Sequence, residues 1–165
     1  MASYNGLVGS EVKVDTAWGQ VQSVYQRRAD LIPNLVNTVK GAKDFEQKTL
    51  TDITEARSRW QGAKTPQDQV EAANGIESAL ARLLVVVENY PELKSNQNFL
   101  ALQDELAGTE NRINVERQRY NEAVGDYNTR LRKFPTVIIA GLFGFDAREF
   151  FAASAGAENA PVVTF

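Results

Sequence analysis

The sequence predicts an all-α fold: an antiparallel up-and-down four-helix bundle with an apolar, Phe-rich C-terminal segment capping one end. Three observations predict it. Apolar residues recur at spacings of three and four through four successive segments. No stretch between residues 1 and 134 alternates with the period of two that a half-buried strand requires. The connections are short and carry helix-capping residues and prolines. A seam period close to seven favours shallow, left-handed, coiled-coil-like crossings.

In the first segment Leu7, Val14, Trp18, Val21 and Tyr25 share a stripe. Residues 26–41, QRRADLIPNLVNTVKG, read as a tight helix–helix corner. Arg27 and Arg28 fall in a last turn, where cations are favourable, Asp30 can cap a new helix, and Pro33 falls in its first turn. The second helix then carries Ile32, Leu35, Val39, Leu50, Ile53 and Trp60, with Glu46 interrupting its seam. Gly62 and the turn-like Lys64-Thr65-Pro66 end it. Thr65 can cap a third helix with Pro66 in the favoured first position and Asp68 nearby. That helix has a clean stripe of Val70, Ala73, Ile76, Leu80, Leu83 and Val87, and Pro91 stops it after Tyr90. The fourth and longest begins near Ser95 or Asn96, with Phe99, Leu102, Leu106, Ile113, Tyr120, Val124, Tyr127, Leu131 and Phe134 on one face, and Pro135 ends it. This path puts the first corner (residues 27–34) and the third (residues 88–96) at one end. The N-terminus and the end of helix four lie at the other.

Beyond Pro135 the character changes. Six of the eight Phe residues lie at or beyond position 134, so residues up to 151 are expected to belong to the single bundle domain. Residues 152–165 read as a partly disordered tail.

Composition removes whole classes of chemistry. With no Cys there are no disulfides, thiolate metal sites or cysteine nucleophiles. With no His, the Ser-His-Asp constellation, the usual near-neutral general base and the Glu-x-x-His metal motif of helical bundles are gone too. The net charge of −3 is interleaved along the chain, without the basic surplus of a nucleic-acid-binding face. No run of 18 apolar residues, the length a membrane-spanning helix needs, is present. No catalytic, cofactor or metal residues are predicted.

Three long blocks, QRRADLIPNLVNTVKG, NYPELKSNQNFLALQDELAGTENRI and YNEAVGDYNTRLRKFPTVIIAGLFGF, occur in order and together resemble the LemA family. The similarity runs from Tyr4-Asn5 to Val163-Thr164-Phe165. It implies a four-helix domain held at the cell membrane on the extracytoplasmic side by an N-terminal segment, expected to precede Met1-Ala2-Ser3 and absent from this chain. It implies no established activity, cofactor or ligand. The function expected is therefore a non-catalytic interaction or scaffold module with a protein partner and no nucleic acid.

Several residues admit two readings. Arg27 and Arg28 serve as end-of-helix charge, paired with Asp30 or Glu88, or anchor a partner through bidentate contacts. Asn34, Tyr90 and Glu92, expected near them, satisfy loops or extend that partner surface. Glu46, Thr109 and Glu116 fix helix register, or Glu46 and Glu116, with Glu110 or Glu77, converge as a metal, small-ligand or carboxylate-enzyme site. Ile138, Ile139, Leu142, Phe143 and Phe145, at the membrane-proximal end, cover the bundle, meet a lipid surface or support a weak oligomer. Val163 and Phe165 pack back on the bundle, or form a C-terminal ligand of the kind PDZ domains read by strand addition.

Overall fold

A computed structural model describes residues 2–151. Among them are six helices and no strand: α1 (Ala2–Val39), α2 (Gln47–Gly62), α3 (Pro66–Val87), α4 (Pro91–Lys94), α5 (Gln97–Arg132) and α6 (Thr136–Phe143). The chain divides into two compact units, one of Trp18–Glu116 and one of Met1–Ala17 with Arg117–Phe165. The tail candidates Val163 and Phe165 lie outside the described residues.

The largest departure from expectation lies in the first of these units. There is no corner at residues 27–34, because α1 runs straight through Pro33. A proline inside a helix removes the bond to the carbonyl four residues back and costs about 3 kcal/mol. That carbonyl, on fully buried Ala29, is instead satisfied from outside the helix: Arg57 Nε on α2 donates to it at 3.1 Å. The apolar stripe also continues unbroken across the proline, burying Tyr25, Ala29, Ile32, Leu35 and Val39. Asp30 caps nothing and accepts from Gln26 Nε2 within the same helix.

The break comes at residues 40–46. Here the amides of Lys40, Gly41 and Ala42 close the last turn of α1 on the carbonyls of Val36, Thr38 and Val39. Asp44 adopts the left-handed conformation that Asp tolerates better than most residues (φ 61°). Glu46 does not interrupt a seam. It occupies the position just before α2, where its carboxylate accepts from Thr49 Oγ1.

The later helices of this unit start as the sequence predicts. Thr65 Oγ1 accepts from the Asp68 amide ahead of Pro66, and Asn96 Oδ1 accepts from the amides of Asn98 and Phe99 at the start of α5. The single turn α4 was not expected, and it buries Leu93. α2 and α3 pack against each other, and Leu50, Ile53, Ile76, Leu80 and Leu83 are buried on them.

In the second unit, α5 carries Tyr120, Val124, Tyr127 and Leu131 inward, as the stripe predicts. The chain then returns antiparallel along α5, held by two asparagines. Asn128 accepts from the Arg148 amide (2.9 Å) and donates to the Arg148 carbonyl (2.8 Å). Asn121 does the same with Phe151, at 2.8 and 3.2 Å. The spacing explains the match: seven helical residues rise about 10.5 Å, and three extended residues span about 10 Å. Tyr120 hydroxyl donates to the Glu149 carbonyl, the Arg117 guanidinium lies 4.4 Å from the Phe151 ring, and Arg148 pairs with Glu11 and Asp15.

Candidate functional site

Three surfaces of the molecule are candidates for a functional site. The first is a furrow of about 810 Å³ along the outer side of the α2–α3 pair. Its floor is built of small residues, among them Ala56, Ala72, Gly75 and Ala79, and a Cβ added at Gly75 would meet nothing within 4 Å. Its walls carry both signs of charge, with Asp52 and Arg82 paired at 2.7 Å and Glu55 and Arg59 at 3.8 Å. Paired, exposed charges around a shallow small-residue floor suit the docking of another polypeptide. The 72–75–79 spacing of Ala, Gly and Ala was the signal in the sequence, masked because small residues also belong to ordinary helix packing.

The second surface is the end where the chain turns. The Tyr90 hydroxyl donates to the Asp44 carbonyl (2.9 Å), and its ring lies 4.9 Å from that of Phe45. The first and third corners therefore do meet, but the first is at residues 40–46. Tyr90 is half-buried in that contact, Glu92 is exposed, and Glu88 pairs with Lys94 at 2.6 Å. Arg27 and Arg28 are not at this end, since α1 rises about 16 Å between Arg28 and Val39, whereas Asn34 lies about 7.5 Å before Val39. Arg27 and Asn34 are exposed along α1. Arg28 is buried, with Nη2 3.7 Å from Glu110 and with Nε and Nη1 unbonded among the described residues. It is unsuited to reach a partner.

The carboxylate cluster does not assemble. No group of three or more His, Cys, Asp or Glu that could hold a metal occurs among the described residues. Glu77 accepts from the Tyr25 hydroxyl, Glu110 faces Arg28, and Glu46 bonds Thr49. Glu116 is buried on α5, about 28 Å along that helix from Gln97. Thr109 is buried and returns its hydroxyl to the Leu106 carbonyl, a structural role.

The third surface is α6. It forms a regular helix where the sequence suggested only a short apolar run, yet Ala140 is its only fully buried residue. Phe134, Ile138, Leu142 and Phe143 are 81%, 62%, 77% and 59% exposed, whereas Ile139 and Phe145 are half-buried. Most of α6 is thus exposed, while Phe151 of the returning chain is buried. The Tyr4 ring lies 5.0 Å from Phe143 and 5.8 Å from Phe145, which sets α6 beside the first turns of α1. No described helix is long and apolar enough to cross a membrane.

A family model described as the LemA family matches residues 17–165. The chain belongs to the LemA family. The protein LemA of Metamycoplasma hominis is 26% identical over 137 residues, which cover 82% of this chain and 63% of that protein. The magnetosome protein MamQ 2 of Paramagnetospirillum magneticum is 34% identical over 93 residues, or 56% of this chain and 34% of that protein. MamQ of Magnetospirillum gryphiswaldense is 31% identical over a stretch of the same length. The chain thus spans less than two thirds of the length of these relatives.

Proposed function

We propose that this chain is a non-catalytic helical interaction module, held at the cell membrane on its extracytoplasmic side by a segment preceding these residues. In this reading the helices of the Trp18–Glu116 unit run up and down as an antiparallel four-helix bundle. A protein partner lays a helix along the α2–α3 furrow and reaches toward the corner that carries Tyr90 and Glu92.

The observation that carries the reading is the furrow itself, with its Ala72, Gly75 and Ala79 floor and its paired rim charges. Small residues let a second backbone approach closely, while rim charges set register and partner choice more than affinity. LemA-family membership supports the membrane tether.

The test is a photo-crosslinking residue placed at Ser78 in the full-length protein in cells, with and without Gly75→Gln. The substitution fills the furrow without touching the core. A specific adduct lost in the Gly75→Gln background is the expected result, and an adduct indifferent to that substitution refutes the furrow as the docking site. Fractionation of the same cells, with protease added outside intact cells or spheroplasts, tests the tether and its sidedness separately.

A further inference from the structure

We infer that α6 docks on the surface of an anionic lipid bilayer. A helix that is apolar all round is ordinarily buried, since its side chains gain nothing from water. α6 reads Thr-Val-Ile-Ile-Ala-Gly-Leu-Phe, without a charged residue, yet most of its circumference faces outward. Phe134, Val137, Ile138, Leu142 and Phe143 are all exposed within ten residues, the makings of an apolar patch that marks an interaction site on a monomer.

Charge identifies the occupant. Residues 127–145 contain Arg130, Arg132 and Lys133 and no Asp or Glu, although the whole chain carries a net charge of −3. All three cations are exposed, and they lie in or just after the last turn of α5, immediately before the apolar residues. A protein partner of matching apolar surface would not call for this local reversal of sign. An apolar surface rimmed by Lys and Arg matches the two layers of an anionic bilayer, acyl chains beneath phosphates. The long basic side chains can stay at the phosphate level while Ile138, Leu142 and Phe143 enter below it. The Tyr4 contact sets this patch beside the first turns of α1, where the proposed tether would enter. That last point rests on the tether reading, and the charge and exposure argument does not.

The test uses the 1–165 chain itself, without any tether, so its outcome is independent of that reading. Co-sedimentation is measured with vesicles of mixed phosphatidylglycerol and phosphatidylcholine and with phosphatidylcholine alone, at low and high salt. The expected result is binding to the anionic vesicles that weakens with salt. Ile138→Ser with Leu142→Ser is expected to weaken partitioning at least about tenfold. Arg132→Gln with Lys133→Gln is expected to remove the preference for anionic lipid. All four residues are exposed, so the fold is expected to survive, with unchanged helical circular dichroism as the control. Absence of binding to the anionic vesicles, or equal binding by wild type and the Ile138/Leu142 variant, overturns the inference. So does a dimer in sedimentation equilibrium that Leu142→Ser dissociates while lipid binding is unaffected, since a second copy would then cover α6.

Discussion

Replacing Arg57 with Met removes the donor to the Ala29 carbonyl while keeping most of the apolar stem, and its cost depends on Pro33. In the wild type Pro33 leaves that carbonyl without an intrahelical partner, and Ala29 is fully buried, so water has little access to it. The 3.1 Å bond from Arg57 Nε is a charge-assisted one. Its loss strands a buried acceptor, an effect of about 1–3 kcal/mol. In a Pro33→Ala background the residue-33 amide returns and bonds the same carbonyl. Arg57→Met then costs under about 1 kcal/mol, while Pro33→Ala alone is stabilising, because a mid-helix proline costs about 3 kcal/mol before any rescue. The double-mutant cycle is expected to show a coupling of about 1–2 kcal/mol, measured by urea denaturation at equilibrium. For a chain of this size the Arg57→Met loss corresponds to a Tm decrease of about 2–4 °C per kcal/mol. Equal Arg57→Met losses in the two backgrounds, within about 0.3 kcal/mol, would refute the account of how α1 tolerates its proline.

The other predictions concern local chemistry. Thr65→Ala removes the acceptor for the Asp68 amide and is expected to cost about 1 kcal/mol, read from the denaturation midpoint, with Thr65→Ser restoring it. Gly75→Ala adds a methyl into open space within α3 and is expected to stabilise by about 0.5–1 kcal/mol in the same assay. Tyr127→Phe is expected to be neutral or stabilising by up to about 1 kcal/mol, because the buried hydroxyl has no hydrogen-bond partner among the described residues. Burial, reinforced by the Glu11 carboxylate and opposed by Arg148, holds that hydroxyl above its ordinary value near 10. Burial raises Tyr120 as well, with Arg148 opposing it. The folded chain binds both protons more tightly than the unfolded chain, so the contribution is fully present below about pH 10 and is lost as pH rises through the raised folded values. Tyr127→Phe is expected to flatten that alkaline loss, followed as melting temperature against pH.

The sequence by itself determined the helical class, the family and the starts of α3 and α5. These are matters of short-range chemistry. Thr65 before Pro66, and Asn96 before Phe99, offer a side-chain oxygen to amides two or three residues on, and no distant contact is needed to read them. The buried stripes on α3 and α5 were likewise legible, because 3.6-residue periodicity is itself the record of which face is dry. The exceptions on this stripe are Leu102, which is half-buried, and Phe134, which projects outward past the end of α5.

Only tertiary structure decided the rest. The same local grammar that reads α3 correctly misplaces the end of α1. Asp30 and Pro33 look like a helix start until Arg57, distant in sequence, supplies the missing donor and the buried stripe outweighs the proline. Arg27 and Arg28 moved away from the corner with that one correction, and the carboxylate of Glu46 bonds Thr49 at the start of α2. The asparagine clamps at 121 and 128 needed knowledge that residues 148–151 return along the helix. α6 is too short and too uniformly apolar for periodicity to tell a buried face from an exposed one. Capping is read from neighbours three residues apart, whereas satisfaction of a buried carbonyl and exposure of an apolar helix depend on elements the chain brings together from far along its length.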